Sequence, residues 1–139
     1  MKYILTLILF SSILRGADIS TIEVWYQAQD DGPYYFIIDN SQIKWVYGEH
    51  IKGQFDHEIP LSSDAVHNIK LYKSNIGNGE SNKIENPDSA AQVIVTFVDG
   101  TTQKRMNMFS NREEREKNDI FLFFMDMSTI VKYFKHMGK

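Results

Sequence analysis

Residues 91–108 read AQVIVTFVDGTTQKRMNM, and they decide the fold class. The first eight residues, AQVIVTFV, are dense in β-branched and aromatic side chains, which suit a pleated, half-buried surface. Asp99-Gly100 follows at once. That pair is a strong hairpin signal, since a type I′ turn needs positive φ at both central residues. Residues 101–108 then return as a second strand. A chain with this hairpin at its centre builds a β core.

Working outward, residues 21–29 (TIEVWYQAQ) alternate and read as a strand. Asp30-Asp31-Gly32-Pro33 is a turn signal, and residues 34–39 (YYFIID) return. A four-residue loop would place Gln27 opposite Phe36 and Trp25 opposite Ile38. Val24, Tyr26, Ala28, Tyr35 and Ile37 would then share the other face. Residues 42–47 (QIKWVY) are a third strand, and residues 54–59 hold a short one. Residues 66–73 (VHNIKLYK) alternate and also read as a strand, after a turn or cap at Ser62-Ser63-Asp64.

Residues 120–125 (IFLFFM) are a continuous apolar run that suits a buried strand, with a helix from 112 through 137 as the rival. Past Asp126 or Ser128 as cap, Met127, Ile130, Val131, Phe134 and Met137 sit at helical spacing. The expected architecture is therefore mainly β. It has about seven antiparallel strands in a sandwich or strongly bent sheet, plus one C-terminal amphipathic helix, with α+β as the alternative.

The first residues are of a different kind. Met1-Lys2 is basic, and residues 3–14 form a run of 12 without a charge, closed by Arg15-Gly16-Ala17. This is the pattern of a secretory signal peptide, and it falls short of the ~20 residues of a spanning helix. The expected organisation is a signal peptide at 1–17 and a single β-rich domain at 18–139, placed in the periplasm or secreted. The cleavage position is not defined, because Arg15 or Leu14 falls where a small residue is preferred. No later apolar run reaches spanning length, so no stable membrane insertion is expected after signal removal.

The 139 residues contain no cysteine, which excludes disulfides, thiolate metal sites and cysteine nucleophiles. Without residues 1–17, thirteen basic residues face eighteen acidic ones, a net charge of −5. Residues 18–100 carry −8 and residues 101–139 carry +3. An acidic body argues against nucleic acid and could steer a basic protein partner.

Catalytic signatures are weak. The four histidines are His50, His57, His67 and His136. The densest group, Glu49-His50 with Asp56-His57-Glu58, lacks zinc spacing, and adjacent strand residues point to opposite faces. The acidic residues of 78–88 lack the order of an EF-hand loop. Nucleophile elbows and phosphate-binding glycine loops are absent. No cofactor and no metal is expected, and an enzyme is less favoured than a binding protein.

Two features suggest binding. Residues 74–89 (SNIGNGESNKIENPDS) form one long polar loop, of a length that is either decoration or function. Residues 25–47 are dense in aromatics, which anchor interfaces when exposed. The candidate partner-binding residues are Trp25, Tyr35, Asn75, Asn78, Glu80, Asn82, Lys83, Glu85 and Asp88. The expected function is an exported, non-enzymatic protein that binds another protein, as an inhibitor or toxin-immunity factor. The alternatives are a small envelope hydrolase or glycan-binding module, and a structural or assembly subunit.

Overall fold

The computed structural model describes residues 19–29, 32–47 and 57–137. The expected signal segment and the Glu49-His50 and Asp56 positions lie outside them. The fold is mainly β. Six strands form one antiparallel sheet: β1 (Ile19–Ala28), β2 (Tyr34–Ile38), β3 (Gln42–Tyr47), β4 (His57–Pro60), β5 (Ser89–Phe97) and β6 (Thr102–Phe109). Their order across the sheet is β4-β3-β2-β1-β5-β6. The helices are α1 (Ser63–Lys73), α2 (Arg112–Glu116) and α3 (Asp119–Met137), with a short 3-10 turn at Ile76–Asn78.

The central hairpin stands where the sequence places it, with a different turn. Thr96 pairs with Thr102, and the Gly100 N–H donates to the Phe97 carbonyl at 2.9 Å. Gly100 takes φ +88 while Asp99 stays at negative φ. This is a three-residue loop, with a tight turn followed by a left-handed glycine, rather than the expected type I′ turn.

The β1–β2 register also differs from expectation. Trp25 pairs with Tyr35 and Val24 with Phe36. The connection runs from Gln27 to Pro33, longer than a four-residue loop, and its odd offset exchanges the faces. Ile22, Val24, Tyr26, Phe36 and Ile38 therefore form the core side, joined by Ile43, Ala91, Val93 and Val95. Trp25, Tyr35 and Ile37 point the opposite way.

Residues 66–73 are helical, not extended. The Ser62 hydroxyl accepts from the Ala65 N–H at 3.2 Å, a helix N-cap. Asp64 sits in the first turn, and Lys70 and Lys73 in the last, as the helix dipole favours. Val66, Ile69, Lys70 and Lys73 share the inner face at helical spacing. Leu71 and Tyr72 are exposed, Tyr72 at 82%, and this mimicked strand alternation. The Lys70 stem is buried while its Nζ donates to Asn40 Oδ1 at 2.6 Å. Burial lowers the pKa of this amine, and the nearby Asp39 carboxylate opposes that shift.

Residues 120–125 are helical too. Of the two readings for this stretch the helix holds, broken at Lys117-Asn118. Asn118 Oδ1 accepts from the Ile120 and Phe121 N–H groups at 3.0 and 3.2 Å. Asn118 is thus the cap, and Asp126 and Ser128 lie within α3. Ile120, Phe123, Phe124, Met127 and Val131 form the buried stripe of α3 on the sheet. At about 1.5–3 kcal/mol for each large side chain removed from water, this stripe is the principal force seating the helix.

Candidate functional site: an open sheet face and an aromatic cleft

All the described helices sit on the core side of the sheet. α3 packs on β1 and β5. Lys73 of α1 lies over the Phe123 ring, and Arg115 of α2 over the Phe121 ring. The opposite face carries no described helix, and none of its residues belongs to the core cluster.

Pairing registers order this open face into rows. One row runs Glu58, Lys44, Ile37, Glu23, Ile94, Lys104 from β4 to β6. Its charges are separated by the two isoleucines. The next row runs Tyr35, Trp25, Gln92, Met106 from β2 to β6 and holds no charge. Ala90 and Met108 extend it on the following row. The result is an uncharged belt of aromatic and thioether side chains beside a charged margin.

Tyr35 is anchored in this belt. Its hydroxyl donates to Glu23 Oε1 at 2.7 Å. Partial burial, then this hydrogen bond and the carboxylate charge, push its pKa well above the usual phenol range. Beside the belt, Trp25, Gln27, Gln29, Pro87 and Asp88 line a groove of about 210 Å³.

The fold therefore brings Trp25 and Tyr35 together on the open face. Asp88 lines the groove beside Trp25 while its carboxylate pairs with Arg115 on the core side, and the other loop residues lie apart from them. The segment from Asn75 to Asp88 lies along the free edge of β6. Asn82 mimics a strand there. Its Oδ1 accepts from the Met108 N–H at 2.6 Å, its Nδ2 donates to the Met108 carbonyl at 3.0 Å, and its own N–H donates to the Met106 carbonyl at 3.2 Å. The Ser81 hydroxyl accepts from the Met106 N–H at 3.0 Å, and the Glu80 carbonyl from Asn107 Nδ2 at 3.1 Å. Gly77 lies so close to β6 that a Cβ there would sit 2.9 Å from the Gln103 Cβ. Asn75 and Asn78 bond each other at 3.4 Å. Lys83 and Glu85 are exposed, with no hydrogen bond or ion pair to described residues.

A second site lies on the core side, between α3 and the sheet. It is a cleft of about 360 Å³ lined by Tyr26, Tyr34, Phe36, Trp45, Phe121 and Phe124 among others. Phe124 is its hub, with ring centroids 4.8 Å from Tyr26, 5.5 Å from Phe36 and 5.6 Å from Tyr34. Arg115, Lys132 and Ser128 contribute the polar part of its wall. Arg115 Nη1 donates to the Tyr26 hydroxyl at 3.1 Å and to Asp88 Oδ2 at 3.3 Å.

The sequence reading missed this cleft. Phe121, Phe124, Ser128 and Lys132 come together only at helical spacing, and an apolar run read as a strand hides that spacing. Its described lining residues include no carboxylate, so no convergent pair of the glycoside-hydrolase kind is present among them. Among the described residues no cluster of three His, Asp or Glu side chains could hold a metal ion. No described helix is long and apolar enough to cross a membrane. No protein-family model matches the chain, and no curated protein matches it.

Proposed function

We propose that this is an exported, non-enzymatic binding protein that captures another protein on its open sheet face. One observation carries the reading: Tyr35, Trp25, Gln92 and Met106 form an uncharged row across four strands of a face that no described helix covers. Aromatic residues and methionine are enriched at the centres of interfaces, with charged residues kept to the rim. The neighbouring row of Glu23, Lys44 and Lys104 supplies such a rim. Trp25 is the anchor, because a large ring beside a groove is what a partner side chain can pack against. Inhibition of the partner, or immunity to it, is the form this capture takes in the proposed reading.

Export is supported by the basic, apolar, then small-residue pattern of residues 1–17. Intact-mass measurement on protein recovered from the periplasm should show loss of this segment. A full-length mass would overturn export with cleavage.

The contact surface is tested by comparing capture from the periplasm by the wild type and by Trp25→Ala. Trp25 lies outside the core cluster, so the variant should keep its circular dichroism spectrum. A specific partner should be lost or weakened at least about tenfold, as for an interface hot spot. Undiminished capture by Trp25→Ala would remove the belt as the contact surface.

A further inference from the structure

We propose that the aromatic cleft between α3 and the sheet is a second, separate binding site, and that it takes a small molecule with a flat apolar body and one carboxylate. This does not depend on the sheet-face reading. The cleft and the belt lie on opposite sides of the sheet.

Three features specify the ligand. The first is size: about 360 Å³ lies at the lower end of small-molecule sites, which run from about 300 Å³ upward. The second is the wall. Tyr26, Tyr34, Phe36, Trp45 and Phe124 present ring faces and edges, which suit a planar apolar group.

The third is charge. Among the described residues the charged lining is Arg115 and Lys132, and Arg115 is ion-paired with Asp88 at 3.3 Å. Asp88 offsets part of the Arg115 charge, and Lys132 leaves the described wall with a positive excess that favours an anion over a cation. Arg115 also keeps one donor unpaired. Its hydrogen bonds to Tyr26, Asp88 and Ser89 all leave from Nη1. Its Nε–H is buried with no acceptor among the described residues. A buried donor without a partner is costly, and an arriving carboxylate is the acceptor whose planar geometry suits a guanidinium. Lys132, on the exposed turn of α3, adds a second positive charge at the mouth.

The local chemistry opposes the chain's overall balance. The protein is acidic in total, yet its C-terminal 39 residues carry a positive excess, and Arg115 and Lys132 both come from them. The cations are thus held where the apolar wall is.

The test uses three probes that share one apolar body: 4-phenylbutyrate, 4-phenylbutanol and 4-phenylbutylamine. Binding to the full mature chain is followed by amide NMR shifts. The carboxylate should bind saturably and about tenfold tighter than the alcohol, the scale of one charge-assisted hydrogen bond, with the amine weakest. Lys132→Glu, at an exposed position, should erase much of that preference and leave the alcohol unchanged. Ser128→Trp should fill the cleft and abolish binding of all three, with an unchanged circular dichroism spectrum as the control for folding. Equal affinity for acid and alcohol would overturn the anion specificity. Absence of saturable binding, or binding that survives Ser128→Trp, would overturn the site itself. The sheet-face reading stands or falls separately, since its readout is the partner and its variant is Trp25→Ala.

Discussion

Tyr35 shows how one residue can report on the folded state. Its phenol is half-buried in a sheet row and donates to a carboxylate, so ionising it would place a second negative charge beside Glu23. The folded chain therefore holds this proton more tightly than the unfolded chain does. The associated stability is fully present below the ordinary phenol pKa of about 10 and is lost as pH rises above it. An alkaline titration followed by phenolate absorbance should show a most delayed step that disappears in Tyr35→Phe. A wild-type protein that stays folded while Tyr35 ionises with the others would contradict the Glu23 contact. The sequence marked Tyr35 as one of the aromatics dense between residues 25 and 47. It could not show the Glu23 partner, because that pairing depends on a register set by the length of the 27–33 connection.

At the scale of elements, the hairpin and the first three strands were legible, and α1 was not. Local composition dominates in strands such as residues 91–97, where β-branched residues crowd together. In α1 the informative signal was the cap, not the apolar pattern. Leu71 and Tyr72 face solvent, and a lysine occupies the inner face at position 70, so hydrophobic periodicity points to the wrong element. Ser62→Ala removes the cap acceptor of the Ala65 N–H and should cost about 1 kcal/mol in denaturant unfolding.

The long polar loop was legible as a loop, and its role was not. Its asparagines look like solvated turn residues, yet Asn82 completes the hydrogen bonding of β6. Asn82→Ala removes both side-chain bonds to Met108 and should destabilise by about 1–2 kcal/mol. Faster hydrogen exchange at the Met108 amide would locate the effect. Unchanged exchange there would mean that the edge does not depend on Asn82.

For the whole molecule, the mainly-β class was readable because it follows from many residues at once. The candidate site was only partly readable. Trp25 and Tyr35 meet as cross-strand neighbours, and Asp88 joins Trp25 at a groove, while Asn75, Asn78, Glu80 and Asn82 belong to the β6 edge. The cleft depends on a helix returning across three strands, which no local window contains. The charge asymmetry noted along the chain acquires a location: part of the positive excess of residues 101–139 lies in the cleft wall, at Arg115 and Lys132.

The strand order also has a consequence in time. β1 lies between β2 and β5, and its partner β5 begins only at Ser89. The β1–β4 meander can assemble from neighbouring segments as they emerge from synthesis. Until Ser89–Phe97 arrives, however, one side of β1 offers unpaired backbone beside Ile22 and Val24. Pairings this distant in sequence form slowly, and an uncovered strand edge invites another chain. The asparagine-rich segment that seals β6 precedes β5 in the chain, but the edge it seals exists only afterwards. The protein thus passes through a window, between the emergence of β1 and the docking of β5, in which it is most exposed to mispairing with another chain.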